Sequence, residues 1–117
     1  MYSNTGKKII GIGDSTDIAI VEGVIDNNNM TMFKLNTKIT SIVLYPNVRT
    51  ENLTSTKYMF LTDEYLKYLD LGNLVTSDVT DMSEMFENCY RLEKIVFNTT
   101  TFDTSKVTTM RSMFSNC

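Results

Sequence analysis

Few residues in this chain have the types and spacing that chemistry requires. Gly11-Ile12-Gly13-Asp14-Ser15-Thr16 combines glycines with hydroxyls, as a phosphate-cradling loop does. It lacks the Gly-Lys-Ser/Thr ending of such a loop and the third glycine of a dinucleotide fingerprint, and no helix is predicted after it. Its Gly-Asp-Ser triplet could present a serine nucleophile, but that chemistry needs a histidine base, and the chain has no His. A hairpin turn is the better reading. Cys89 and Cys117 are the two cysteines, too few for a four-Cys zinc site or an iron–sulfur cluster within one chain. Asp70, Asp78, Asp81 and Asp103 are too dispersed for a calcium loop. No catalytic, cofactor-binding or metal-binding residue is therefore assigned, and no enzyme is expected.

The elements that would position any site come from a repeat. Val79-Thr80-Asp81-Met82-Ser83-Glu84-Met85-Phe86-Glu87-Asn88-Cys89 aligns with Val107-Thr108-Thr109-Met110-Arg111-Ser112-Met113-Phe114-Ser115-Asn116-Cys117, with seven of eleven positions identical at an offset of 28. Upstream, Leu69 and Leu71 match Ile95 and Phe97 at an offset of 26, so Asn98–Thr101 holds a two-residue insertion. A degenerate third copy precedes these: Leu53-Thr54 and Met59-Phe60 stand 26 residues before their counterparts, while Thr56 replaces the first Met and Asp63 replaces the Cys.

Within Met82–Cys89 the apolar residues Met82, Met85, Phe86 and Cys89 fall at i, i+3, i+4 and i+7, which predicts one face of a two-turn helix. Asp81 would cap it, with Glu84 as capping-box partner. The next copy repeats the face with Met110, Met113, Phe114 and Cys117, started by Thr108 or Thr109. Leu66–Leu71 and Leu92–Phe97 alternate as short strands. The expected core is Leu69, Leu71, Val79, Met82, Met85, Phe86, Cys89, Ile95, Phe97, Val107, Met110 and Met113. Thr54, Thr80 and Thr108 should line up between coils and satisfy corner backbone groups. Cys89 and Cys117 would be neighbours about 5 Å apart in a parallel stack, and reduced thiols are favoured because no signal peptide is visible.

Residues 1–38 do not match the repeat. Lys7–Ile12, Asp17–Ile25 and Met30–Leu35 read as strands of a small antiparallel meander, with Asp26–Asn29 as a turn. The expected architecture is α+β: a short right-handed solenoid with parallel strands on one face and two-turn helices on the other, under an N-terminal antiparallel β cap. The cap spans 1–38 and the solenoid 39–117, with a degenerate repeat at about 39–65 and clear repeats at 66–91 and 92–117, in one compact domain.

The block from Tyr68 to Cys89, and still more Phe102-Asp103-Thr104-Ser105-Lys106-Val107-Thr108-Thr109-Met110, resembles the BspA-like leucine-rich repeat of bacterial and Mycoplasma surface proteins and lipoproteins. That resemblance implies a protein-binding or adhesive solenoid displayed on a cell surface.

Composition bounds the partners. The net charge of −3 and the scattered Lys and Arg show no basic stripe for nucleic acid. No apolar run approaches the ~20 residues of a membrane span. Thr and Asn are abundant, at 17 and 11 residues. The expected function is a non-catalytic protein-binding module that uses its repeat surface or its C-terminal end. The alternatives are a fragment of a surface adhesin or lipoprotein, and a small phage or mobile-element inhibitor of a host defence enzyme. Self-association or partner capture through the C-terminal end face is expected, and Arg111, Phe114, Lys106 and Asp103 are the expected partner-binding residues. A complete chain would be cytoplasmic, and a piece of a longer one would sit at the cell surface.

Overall fold

The computed structural model describes residues 2–4, 7–12 and 18–117. Of the glycine-rich segment, Gly13-Asp14-Ser15-Thr16 lies outside the described residues. Six strands form one sheet in chain order: β1 (Tyr2–Asn4), β2 (Lys7–Ile12), β3 (Ile18–Gly23), β4 (Ser41–Leu44), β5 (Tyr68–Asp70) and β6 (Lys94–Val96). The pairings β1–β2 and β2–β3 are antiparallel, and β3–β4, β4–β5 and β5–β6 are parallel. The parallel strands stay in register, so Ala19, Ile42, Leu69 and Ile95 form one row across the sheet.

The separate antiparallel cap over 1–38 is corrected. Met30–Leu35 runs as consecutive turns rather than a strand, and Ile18–Gly23 is the first of the four parallel strands. The reason is visible in side-chain spacing. Met32-Phe33 stands 27 residues before Met59-Phe60, and the ring of Phe33 stacks on that of Phe60 with centroids 6.3 Å apart. Asn27 meets Thr54 through its side chain, at the corner where Thr54 meets Thr80: Thr54 N–H donates to its Oδ1 at 3.0 Å and its Nδ2 donates to Thr54 Oγ1 at 2.7 Å. Residues 27–36 therefore form a tier of the stack.

The helices are corrected too. The described residues contain no helix; Met82–Cys89 and its counterparts are runs of turns. Glu84 and Asn88 lie in the left-handed region at φ 56° and 62°, as do Tyr58 and Thr62 in the preceding tier and Ser112 and Asn116 in the following one. A left-handed residue at every fourth position closes the chain into successive four-residue turns. This places Met82, Met85, Phe86 and Cys89 inward, each fully buried. The i, i+3, i+4, i+7 pattern thus fits two periodic structures, and the backbone hydrogen bonds decide between them. A helix would direct every N–H to the carbonyl four residues back. Here alternate N–H groups bond within the tier and between tiers. Met59, Leu61 and Asp63 donate to Thr56, Tyr58 and Phe60 at 3.0–3.2 Å, whereas Thr56, Phe60 and Thr62 donate to Asp81, Met85 and Glu87 of the next tier at 2.7–2.9 Å. The predicted cap residue Asp81 makes a local turn instead, its Oδ1 accepting from Ser83 N–H at 2.9 Å and Ser83 Oγ at 2.6 Å.

Packing follows the tiers. Phe33, Phe60, Phe86 and Phe114 form a continuous aromatic column with centroid spacings of 6.3, 5.7 and 5.1 Å. Threonine columns tie the corners. Thr80 and Thr108 donate through both N–H and Oγ1 to the carbonyls of Thr54 and Thr80 in turn. Thr50 Oγ1 accepts from Val75 N–H at 2.7 Å and donates to Val75 C=O at 3.1 Å, and Thr76 makes the same pair with Asp103.

Candidate functional site

The C-terminal tier differs from the others in what lies over it. Phe60 and Phe86 are fully buried between neighbouring rings, whereas Phe114, which ends the column, is 52% exposed. Met82 is fully buried, and its counterpart Met110 is 46% exposed. Phe97, beside the edge strand β6, is 40% exposed and leans on Phe102 at 4.5 Å. On this end face of the described stack, each of the three stands at a position whose counterpart, Phe86, Met82 or Leu71, is fully buried. Of the expected core, Leu69, Leu71, Val79, Met82, Met85, Phe86, Cys89 and Met113 are buried and Ile95 and Val107 are half-buried. Phe97 and Met110 do not belong to it, because among the described residues no tier packs over them.

The backbone of the same tier is polarised. Met82, Glu84, Phe86 and Asn88 donate to the carbonyls of Thr109, Arg111, Met113 and Ser115 at 2.8–3.0 Å. Their counterparts Met110, Ser112, Phe114 and Asn116 find no acceptor for their N–H groups among the described residues. The carbonyls of Met110, Ser112 and Phe114 are already engaged by the N–H groups of Met113, Ser115 and Cys117. The stretch from Met110 to Asn116 therefore offers a row of unmatched donors.

The expected partner-binding residues separate into two places. Arg111 and Phe114 are exposed on the end tier. Lys106 reaches sideways instead, pairing with Asp78 of the previous tier at 2.8 Å, a contact that raises its pKa. Asp103 is half-buried; its carboxylate accepts from Ser105 N–H at 2.8 Å, which lowers its pKa, while its backbone N–H serves Thr76. Lys106 and Asp103 thus join tiers, and Arg111 and Phe114 belong to the end face. The donor row escaped sequence reasoning because a helical reading would have used those N–H groups internally.

Titratable chemistry concentrates in one column, Asn36–Asp63–Cys89–Cys117. Asp63 is buried; its Oδ1 accepts from Asn36 N–H at 2.9 Å and its Oδ2 has no partner. Burial pushes its pKa up to about 8. Burial likewise pushes the Cys89 thiol up to about 12, and its Sγ donates to Phe60 C=O at 3.1 Å. Both thiols are free, Cys89 buried and Cys117 exposed. Among the described residues no group of three or more His, Cys, Asp or Glu is placed to hold a metal ion. Nor is any helix there long and apolar enough to cross a membrane.

Comparison with protein families matches residues 27–117 to "Mycoplasma protein of unknown function, DUF285". The chain belongs to this family. The resemblance to the BspA-like leucine-rich repeat is corrected accordingly: the matching family is a different one, and the tiers lack the helices that reading required. The match begins at residue 27, where the structure places the first turn tier. No curated protein and no solved structure matches the chain.

Proposed function

We propose that this member of the DUF285 family is a non-catalytic module that binds another protein through the end of its stack. The observation that supports this reading is the end face itself. Phe114 and Met110 are about half exposed where their counterparts Phe86 and Met82 are fully buried, and an apolar patch rimmed by polar groups marks an interaction site. The reading assigns no catalysis: the chain has no His, and among the described residues the strongly perturbed carboxylate, Asp63, is buried in the wall between tiers.

The test is site-specific photo-crosslinking. A crosslinker placed at Phe114 should join a defined protein partner, and a Met110→Asp/Phe114→Asp variant should lose that partner while keeping its fold. The reading fails if partner binding survives both substitutions, or if crosslinks form only from the flanks, at Tyr45 or Tyr65.

A further inference from the structure

The row of unmatched donors specifies the kind of partner the end face can take, an inference that rests on the protein-binding reading. The tiers at 56–62 and 82–88 show a different backbone face to each of their two neighbours. Toward the next tier, residues equivalent to Met110, Ser112, Phe114 and Asn116 present N–H groups. Toward the previous tier, residues equivalent to Thr109, Arg111, Met113 and Ser115 present carbonyls, and these meet at 2.8–3.0 Å in the pair from Met82–Asn88 to Thr109–Ser115. The corner has the opposite polarity. The carbonyl of Thr80 accepts both N–H and Oγ1 of Thr108, at 2.8 and 3.1 Å. The carbonyl of Thr108 repeats that position and has no such donors over it among the described residues.

An occupant that satisfies this face needs four properties at once. It must run parallel to residues 108–116. It must bring carbonyls at alternate residues, in register with the four donors. It must carry a Thr at the start, to serve the Thr108 carbonyl through N–H and hydroxyl. It must lay an aromatic ring on Phe114 and an apolar chain on Met110, continuing a column whose last spacing is 5.1 Å. A second copy of the same face fails the carbonyl requirement, because two donor rows brought together leave their N–H groups buried and unmatched. A segment of pattern Thr-x-Met-x-x-Met-Phe-x-Asn meets all four, as residues 108–116 do against residues 80–88.

We propose that the end face accepts a polypeptide segment carrying this repeat, added in parallel as a further tier, and that two end faces do not pair with each other. Association through this face is therefore directional.

The probe is a synthetic peptide with the sequence of residues 92–117, its Cys changed to Ser, titrated into the 15N-labelled full chain. Saturable binding is expected, with the amide protons of Met110, Ser112, Phe114 and Asn116 gaining at least tenfold protection from exchange. Those of Met82, Glu84, Phe86 and Asn88 should be unchanged. A peptide with the residues of Met110, Met113 and Phe114 changed to Ser should bind at least tenfold more weakly, as should the wild-type peptide to Phe114→Asp protein. Protection of the alternating amides in the wild-type chain tests the inference even where the variant does not fold. Absence of saturable binding, or protection elsewhere on the chain, overturns it. So does concentration-dependent dimerisation of the free chain that buries the face against its own copy. A protein partner crosslinked only at the flanks, without peptide binding, would refute the Phe114-centred reading as well. A partner crosslinked at Phe114 by a protein lacking the repeat would overturn this inference alone.

Discussion

Replacing Asp63 by Cys should remove most of the pH dependence of stability between about pH 4 and pH 8. Asp63 occupies the column position that holds Cys89 and Cys117 in the later tiers, and it is buried with Oδ2 unpartnered. Its pKa rises from 3.8 to about 8 on folding, chiefly through desolvation, against a smaller lowering by the Asn36 N–H. The folded state therefore holds this proton where the unfolded state has released it. Below pH 4 both states are protonated and Asp63 carries no ionisation penalty. From there to about pH 8 stability falls as pH rises, and above that both states are ionised and the loss levels off. At about 1.4 kcal/mol per pH unit the loss is on the order of 5 kcal/mol, a large part of the roughly 5–15 kcal/mol that holds a small domain together. A thiol in this column is held neutral by burial, as Cys89 is with its pKa near 12, so Asp63→Cys stays uncharged throughout. Urea unfolding followed by tyrosine fluorescence (the chain has six Tyr and no Trp) measures both proteins from pH 4.5 to 9. The wild type should weaken steadily up to about pH 8 and then level off, and the variant should stay nearly flat and be the more stable at pH 8. A wild-type profile without this slope, or the same slope in the variant, would refute the burial argument. Asp81 and Asp103 act oppositely: with their values lowered from 3.8, their contribution is fully present above that unfolded value and is lost as pH falls through the folded one.

Three further expectations come from the packing. Glu84→Gly should be neutral or stabilising by up to about 1 kcal/mol, because Glu84 sits at φ 56° where a side chain is strained; in a helix the same change would destabilise by about 1 kcal/mol, so the sign in chemical denaturation distinguishes the two. Phe86→Ala should cost about 3–5 kcal/mol, whereas Phe114→Ala should cost well under half as much, since one face of that ring is already open. A soluble maleimide should label Cys117 rapidly in the native state and Cys89 only on unfolding, as mass spectrometry would show; equal labelling rates would contradict the burial of Cys89.

Side-chain spacing made the repeat legible, because each tier buries the same positions: Met82, Met85, Phe86 and Cys89 recur at Met110, Met113, Phe114 and Cys117. The hydroxyl columns were legible for the same reason, Thr54, Thr80 and Thr108 sitting at equivalent corners. Backbone conformation was less so. Asn88 and Asn116 signal left-handed geometry, since Asn tolerates it, but Glu84, Ser112 and Tyr58 carry no such mark and read as helix interior. The first tier is hard to see in sequence although Met32-Phe33 repeats the Met-Phe pair, because its neighbours Asn27, Asn28 and Asn29 suggest only a turn. The exposure of Met110 and Phe97 depends on which tier covers which, a matter of tertiary order that no local pattern records. Asp63 was visible as a departure from the repeat, yet only the stack shows that the carboxyl is buried without a second partner.

The alternating backbone of the terminal tier is what the binding face is built on, and amide hydrogen exchange of the free chain, read residue by residue by NMR, tests it most directly. The amides of Met82, Glu84, Phe86 and Asn88 should be strongly protected by their bonds to the next tier, and those of Met110, Ser112, Phe114 and Asn116 should exchange at near-unfolded rates. Uniform protection from Met110 to Asn116, as a helix would give, would contradict the donor row and the binding face with it.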